Sequence, residues 1–258
     1  MSVKQLFDLI GRVAIVTGGS RGLGLQMAEA LGEMGARIAI TARKKDELDD
    51  AVEHLKNHGI AATSYVCDLG KREQIEPLAA AIMTKFGKVD ILVNNAGASW
   101  GAPAEDHPLE AWDKLMNLNM TGTFLLSQIA AKRSMIPGKW GRIINVASVN
   151  GIQATDMRLL KNAAYVATKH GVIGLTRQLA TEWGCHGITV NAICPGFFPS
   201  KMTRATLDTA GAFVREATPT GRLGGDEDLK GLVVLLASDA SRHITGQAIA
   251  VDGGASII

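Results

Sequence analysis

The stretch that decides the fold is Val13-Ala14-Ile15-Val16-Thr17-Gly18-Gly19-Ser20-Arg21-Gly22-Leu23-Gly24. It reads as a strand, a tight turn and the start of a helix, because glycine lets the backbone turn sharply and approach a ligand closely. The first turn of such a helix presents unpaired N–H groups to a phosphate. Taken alone, a glycine loop is also typical of a purely structural turn between a strand and a helix. The rest of the chain therefore has to decide between these interpretations.

Further motifs follow the glycine loop in a fixed order. They are Asp68, Asn94-Asn95-Ala96-Gly97, Asn119, Ser148, the pair Tyr165 and Lys169, and Pro195-Gly196. The loop spacing T-G-x-x-x-G-x-G and this order resemble the short-chain dehydrogenase/reductase family from roughly Leu9 to Gly254. The resemblance implies an oxidoreductase that interconverts a carbonyl and a secondary alcohol with a nicotinamide cofactor.

Short aliphatic runs alternate with segments of helical periodicity along the chain. The runs lie at 13–16, 36–41, 62–67, 89–93, 142–147, 188–193 and 247–251, and the helices are predicted at 22–34, 46–57, 71–86, 108–135, 162–185 and 226–237. This alternation indicates strands buried on both faces and joined by crossover helices. We predict an α/β, Rossmann-type doubly wound fold with a seven-stranded, mostly parallel sheet. No linker divides the chain, so residues 1–258 are expected to form one domain, with a substrate loop at about 197–220.

Composition excludes several classes of protein. The formal charge is +2 and the basic residues are spread along the chain, so neither a nucleic-acid nor a membrane partner is expected. The three cysteines form no C-x-x-C pair, which favours a reducing compartment, and the first residues lack a signal peptide, so a cytoplasmic location is expected. His54 and His58 have helical spacing, but the sequence shows no convincing third ligand, and we predict no catalytic metal.

The end of the second predicted strand indicates the choice of cofactor. Dehydrogenases that prefer NAD place an acidic side chain there to accept hydrogen bonds from the ribose hydroxyls. Here that position is Ala42, followed by Arg43, and Arg21 lies within the glycine loop. Guanidinium groups are suited to binding a 2′-phosphate. NADP(H) is therefore expected, in preference to NAD(H).

The family resemblance implies the other cofactor contacts. Asp68 would accept from the adenine amino group, Asn94 would brace the sheet near the adenosine ribose, and Ser200 would bond the nicotinamide carboxamide. The full set of cofactor-binding residues expected is Gly18, Ser20, Arg21, Gly22, Leu23, Gly24, Arg43, Asp68, Leu69, Asn95, Ala96, Gly97, Tyr165, Lys169, Pro195, Gly196, Phe198 and Ser200.

Tyr165 and Lys169 are the centre of the predicted catalytic set. Their i, i+4 spacing places them on one face of a helix. A tyrosine titrates near ~10, and a nearby cation favours its phenolate. By resemblance, Tyr165 would be the proton donor, Ser148 would hold the substrate carbonyl, and Lys169 would lower the tyrosine pKa and bind the nicotinamide ribose. Asn119 would hold a water that links Lys169 to solvent.

The segments around the predicted site bear on the substrate. Trp100, Met157 and Phe197 are expected to line the substrate pocket, although the aromatic residues could instead pack the loop. Similar segments occur in bacterial 3-oxoacyl reductases, including the rhamnolipid-associated type, and in dehydrogenases of the gluconate 5-dehydrogenase kind. An acyl thioester reductase is the first interpretation, a sugar-acid or polyol dehydrogenase the second, and a non-catalytic nucleotide-binding scaffold the third. The segment between Ser148 and Tyr165 is longer than usual in the family and is expected to shape specificity.

Two long predicted helices, 108–135 and 162–185, bear on assembly. Both carry more apolar residues than one buried stripe requires, so a second buried face is expected. In proteins that resemble this one, these helices pack across a two-fold axis. We therefore expect a homotetramer with 222 symmetry.

Overall fold

A parallel sheet forms the centre of the molecule, and the computed structural model describes residues 1–258. Its strands are β1 (Val13–Thr17), β2 (Arg37–Ala42), β3 (Ala62–Val66), β4 (Ile91–Asn94), β5 (Gly141–Val146), β6 (Ile188–Pro195) and β7 (Ala248–Val251). The strand order is β3-β2-β1-β4-β5-β6-β7, and every neighbouring pair is parallel. The predicted doubly wound α/β fold is confirmed, and the sheet is parallel throughout where the sequence predicted a mostly parallel one.

The strand order places a crevice beside β1. From β1 the chain adds β2 and β3 on one side, and it then crosses to add β4 to β7 on the other. Strand β1 consequently pairs with both β2 and β4. Helices leave the sheet in opposite directions at such a switch point, which opens a binding crevice beyond the carboxyl ends of the strands.

Helices cover both faces of the sheet. They are α1 (Val3–Leu6), α2 (Gly22–Glu33), α3 (Lys45–Asn57), α4 (Ile75–Phe86), α5 (Leu109–Leu115), α6 (Thr123–Ala130), α7 (Ile136–Gly138), α8 (Ala163–Trp183), α9 (Arg204–Glu216) and α10 (Lys230–Ala237). Two π-helical stretches, Met116–Gly122 and Ala131–Met135, join α5, α6 and α7 without a break, so the predicted helix at 108–135 is one continuous element. No helix has the length and apolar character needed to cross a membrane.

Alternation along β1 divides the core into two layers. Ala14 and Val16 point into one layer with Met27 and Leu31 of α2, whereas Ile15 points into the other. Successive side chains of a strand face opposite sides of the sheet, so both faces of a central strand must be apolar. All five residues of β1 are buried, which fits this position.

Helix α9 is an element that the sequence did not predict. It occupies much of the segment that was expected to be a substrate loop at about 197–220. Its buried residues are few and small, namely Thr206, Gly211 and Val214. The helix forms a wall beside the carboxyl ends of the strands, where the candidate site lies.

Candidate active site

The glycine loop packs closely against the start of α2. Gly18 has a φ of +63°, a conformation that side chains with a Cβ rarely adopt. A Cβ added at Gly24 would lie 2.2 Å from the carbonyl oxygen of Gly18, which leaves no space for any other residue. The amides of Gly18 and Gly19 both donate to the carbonyl oxygen of Thr41, which ties the loop to β2. Backbone geometry at these glycines therefore keeps the loop tight and its ligand face open.

Asn95 and Thr17 hold the loop against the end of β4. The hydroxyl of Thr17 accepts hydrogen bonds of 2.9 Å from the amides of Asn95 and Ala96. The side-chain amide of Asn95 donates to the carbonyl oxygens of Thr17 and Gly18 at 2.9 and 3.2 Å. The ends of β1 and β4 are thereby joined at the crevice.

Asn94 faces away from this crevice. It is buried, and its amide donates at 2.9 Å to Ser127 of α6 and to Asn145 of β5. The position fits the expected bracing of the sheet, with the side chain under the strand ends.

A groove of about 530 Å³ runs along the carboxyl ends of the strands. All the residues expected to bind the cofactor line it, from the glycine loop through Arg43, Asp68 and Asn95 to Pro195 and Ser200. The sequence did not single out several further lining residues, among them Lys44 and Glu47. Their signal was weak, because a lysine and a glutamate at the start of an exposed helix are ordinary surface residues.

Ser148, Tyr165 and Lys169 meet at one wall of the groove. Ser148 follows β5, and its hydroxyl accepts a hydrogen bond of 3.1 Å from the amide of Asn150. The Nζ atom of Lys169 lies 5.6 Å from the centroid of the Tyr165 ring and donates to the carbonyl oxygen of Val146 at 2.7 Å. A hydroxyl, a phenol and an ammonium group are thus held together by β5 and α8.

Asn119 lies behind this wall, in the π-helical stretch between α5 and α6. Its side chain exchanges two hydrogen bonds of 3.0 Å with the backbone of Ala98 and donates a third, also 3.0 Å, to the hydroxyl of Thr168. A Cβ built on Gly97 would lie 3.4 Å from the Asn119 oxygen and 3.7 Å from Lys169 Nζ. The asparagine is therefore close to the lysine, and π-helical turns are frequently found at functional sites.

Burial is the main influence on the pKa values of Tyr165 and Lys169. It lowers the pKa of Lys169 to about 8, since a charged amine loses hydration in an apolar setting. It also raises the pKa of Tyr165, against a hydrogen-bonding influence of Ser148. Loss of hydration of the phenolate outweighs the hydrogen bond with Ser148, and the lowering of the tyrosine pKa by Lys169 remains a prediction.

A second cavity of about 600 Å³ adjoins the groove at Gly196 and Phe198. Phe197 lines it as expected, and the long segment before Tyr165 contributes Gln153 and Arg158.

Trp100 and Met157 line neither cavity, which corrects the predicted pocket. Their side chains are 48% and 73% exposed. The turn around Met157 is held by the neighbouring Asp156 and Arg158, whose side chains pair with each other, and Arg158 lies 4.8 Å from the ring of Phe213. This turn leaves the methionine at the surface.

His54 and His58 gain a neighbour that the sequence did not reveal. The Nε2 atom of His54 lies 2.6 Å from a carboxylate oxygen of Glu29 in α2. The expectation that no third potential metal ligand lies near these two histidines is therefore wrong. The same carboxylate accepts a hydrogen bond of 2.5 Å from Lys230, so it is already balanced by a cation. This arrangement fits an ion-pair network linking α2, α3 and α10.

Comparison with known proteins extends over the whole chain. The sequence profile of the family described as short chain dehydrogenase matches residues 12–211. The chain is 38% identical to gluconate 5-dehydrogenase of Gluconobacter oxydans (strain 621H), covering 100% of this chain and 99% of that protein. It is 39% identical to the rhamnolipids biosynthesis 3-oxoacyl-[acyl-carrier-protein] reductase of Pseudomonas aeruginosa, covering 96% of this chain and 97% of that protein. A solved gluconate 5-dehydrogenase from Burkholderia cenocepacia J2315, in complex with NADP and tartrate, superposes with a TM-score of 0.93 at 35% identity and covers 100% of both chains.

Proposed function

Because this chain belongs to the short chain dehydrogenase family and is an oxidoreductase acting on CH–OH groups, we propose that it interconverts a ketone and a secondary alcohol with NADP(H). One observation carries the proposal. Ser148, Tyr165 and Lys169 meet at the wall of a groove that all the expected cofactor-binding residues line. The candidate proton donor is thereby held in the groove that is proposed to bind the cofactor.

A nicotinamide cofactor held by the glycine loop, Lys169 and Ser200 would supply the hydride for reduction of the carbonyl carbon, or accept it in the oxidative direction. The hydroxyl of Ser148 donates a hydrogen bond to the carbonyl oxygen and orients it toward Tyr165. The phenol of Tyr165 gives its proton to that oxygen as the alcohol forms, and it takes the proton back in the oxidative direction. Lys169 stabilises the phenolate left behind, and Asn119 holds the proton path behind the lysine. The hydride and one proton together convert C=O to CH–OH.

Three features support NADP(H) as the cofactor. Helix α2 begins directly after the tight glycine loop, and the backbone N–H groups of its first turn can bind a pyrophosphate. Ala42 puts no carboxylate at the end of β2, and Arg43 and Arg21 line the same end of the groove. The Burkholderia cenocepacia enzyme, similar over its full length, was solved with NADP bound.

Exchanging these residues should shift the cofactor preference. In the double variant Ala42→Asp with Arg43→Ser, a new carboxylate repels the 2′-phosphate and accepts from a free ribose hydroxyl. We expect the NADPH dissociation constant to rise at least about 10-fold, and that for NADH to fall, since one lost charged contact is worth roughly a factor of ten. Fluorescence titration with each cofactor measures both constants. Wild-type protein that binds NADH more tightly than NADPH would contradict the proposal.

For the substrate, we propose a 3-oxoacyl thioester as the first class. The cavity of about 600 Å³ that adjoins the groove at Gly196 and Phe198 can receive an acyl chain, and Phe197, Phe213 and Leu159 contribute apolar surface to it. The Pseudomonas aeruginosa reductase is similar over nearly the whole chain.

A sugar acid or polyol is the second candidate. Asn150, Gln153 and Arg158 bring polar groups to the same cavity, and the Gluconobacter oxydans dehydrogenase has comparable identity. Assays of NADPH oxidation with 3-oxoacyl thioesters and keto-sugar acids, and of NADP⁺ reduction with polyols, distinguish the two substrate classes. Cofactor binding without turnover on any panel would favour the scaffold interpretation.

We also propose a homotetramer, in a cytoplasmic setting that suits three free cysteines. The exposed apolar surface of the long helices is smaller than the sequence predicts, because Leu126 and Leu179 are buried in their own subunit. Phe124 is 36% exposed and Trp112 is 37% exposed, and exposed apolar side chains on this long helix support contact with a second subunit.

The substitution Phe124→Glu should therefore dissociate the assembly, since a charge on a buried face between subunits is strongly unfavourable. Light scattering at micromolar concentration should give several times the chain mass of 27.2 kDa for the wild type and a smaller mass for the variant. Ile10→Glu, at a side chain that is 77% exposed near the amino terminus, is the control and should keep the wild-type mass. A wild-type protein that is monomeric under these conditions would reject the tetramer.

A further inference from the structure

Glu47 brings a negative charge to the end of the groove that is proposed to bind the 2′-phosphate. It lies in the first turn of α3 and lines the groove. One of its carboxylate oxygens lies 2.7 Å from Arg21 of the glycine loop and 3.2 Å from Lys44. Its side chain is 24% exposed, against 49% for Arg21 and 58% for Lys44, so the carboxylate is the inner member of the cluster.

The surrounding charges make this position unusual. Arg43 and Lys201 also line the same groove, and the charge of Lys201 acts on Glu47 from the segment after β6. Three cations therefore act on Glu47, and a fourth, Arg43, lines the same groove. A carboxylate within this group of cations weakens their attraction for a phosphate, so phosphate binding alone does not explain why Glu47 is there.

We propose that Glu47 sets the preference between NADP(H) and NAD(H) by opposing the 2′-phosphate and by accepting a hydrogen bond from the free ribose hydroxyl of NAD(H). The inference rests on the proposed cofactor site. The end of β2, where an acidic residue would meet the ribose, carries Ala42. Glu47 lies five positions further along, and its carboxylate is held at the groove by Arg21, so it supplies the missing acceptor.

Removing the charge of Glu47 would have two opposing effects on the affinity for NADP(H). Glu47 orders Arg21 and Lys44, and this ordering favours phosphate binding. Both cations are about half exposed, however, and ion pairs of that kind contribute little. A carboxylate and a doubly charged phosphate in the same groove would repel each other, and the four cations that line the groove remain to bind the phosphate after the carboxylate is gone. Repulsion is therefore the larger effect.

The carboxylate keeps its charge throughout the neutral range. Partial burial works to raise the pKa of Glu47, but the hydrogen bond from Lys44 and the charges of Arg21, Lys44 and Lys201 outweigh it and hold the pKa below its ordinary value. The effect is consequently present at any pH at which the enzyme is assayed near neutrality.

The test is cofactor binding by the variant Glu47→Gln, which keeps the shape of the side chain and removes its charge. We expect the dissociation constant for NADPH to fall about 3- to 10-fold and that for NADH to rise about 2- to 5-fold, with both changes shrinking as salt is added. Fluorescence titration of each cofactor gives these constants independently of any substrate. Glu53→Gln removes the same charge from an exposed position further along α3 and should change each constant less than about 2-fold.

The outcomes separate this inference from the proposed function. NADPH binding that is unchanged or weakened in Glu47→Gln, with tight NADPH binding by the wild type, would overturn the role of Glu47 alone. Wild-type protein that binds NADPH more weakly than NADH would overturn the proposed cofactor. Equal changes for both cofactors would indicate that Glu47 only supports the shape of the groove, and this result also rejects the inference.

Discussion

The substitution Tyr165→Phe should lower kcat by at least about 100-fold, the usual range for loss of a general acid or base, and should leave NADPH affinity nearly unchanged. The phenylalanine ring fills the same space on α8, so packing is retained while the hydroxyl that gives the proton is lost. Steady-state assays on the best substrate of the panel measure kcat, and cofactor titration measures the NADPH dissociation constant. A variant with near wild-type turnover would falsify the assignment of Tyr165.

The chain offers a matched control, because it contains two tyrosines, Tyr65 and Tyr165. Tyr65 lies on β3 at the edge of the sheet, so Tyr65→Phe should leave kcat unchanged within about 2-fold. The same control isolates the phenol of Tyr165 for spectroscopic titration. In the protein without cofactor, its pKa should lie above the ordinary value of 10.0, because burial disfavours the phenolate.

The local pattern of apolar residues in the sequence was sufficient to predict the fold. Strands buried on both faces must be apolar along their whole length, and β1 and β6 are buried at every residue. Such runs are visible without knowing what they pack against. The glycine loop is predictable for a similar reason, since the conformation of Gly18 and the contact at Gly24 depend on nearby backbone.

Side-chain direction in irregular segments was not predictable. Trp100 and Met157 lie in turns between secondary-structure elements, where no periodicity fixes which way a side chain points. Helix α9 was missed because small and polar residues form its buried stripe. In both cases, packing against distant parts of the chain decides the outcome.

Contacts between distant residues were equally hidden. Glu29 is 25 positions from His54, and Glu47 is 26 positions from Arg21, so neither pair can be inferred from spacing. The protonation behaviour of Lys169 follows from burial by its neighbours, a quantity that the sequence alone does not give. Residue types and order predict a catalytic set, whereas its electrostatic environment needed the structure.

Burial of Lys169 has a thermodynamic consequence for the whole protein. The folded-state pKa of about 8 lies below the ordinary 10.5, so folding disfavours the charged amine. At a pH below both values, this penalty is fully present, and the shift corresponds to about 3 kcal/mol. Between pH 8 and 10.5 the unfolded chain binds more protons than the folded one, so stability rises with pH. Above that window the penalty is absent.

The variant Lys169→Met should therefore be more stable than the wild type at pH 7 and almost inactive. Methionine fills a similar buried volume without a charge, while the carbonyl oxygen of Val146 loses a hydrogen bond of 2.7 Å, which costs about 1–2 kcal/mol. The remaining gain is about 1–2 kcal/mol, or a Tm higher by about 2–6 °C, measured without added cofactor. kcat/KM should fall at least about 100-fold, because proton transfer by Tyr165 loses the cation that stabilises its phenolate.

The pH dependence distinguishes this account from a general effect of replacing a lysine. The stability difference between variant and wild type should shrink as pH rises from 8 to 10.5, because the wild type loses its buried charge over that interval. Lys85→Met, at an exposed position of α4, should show neither the gain in Tm nor the loss of activity. A Lys169→Met protein that is less stable at pH 7, or whose difference from the wild type is the same at every pH, would show that burial imposes no penalty on the charged amine.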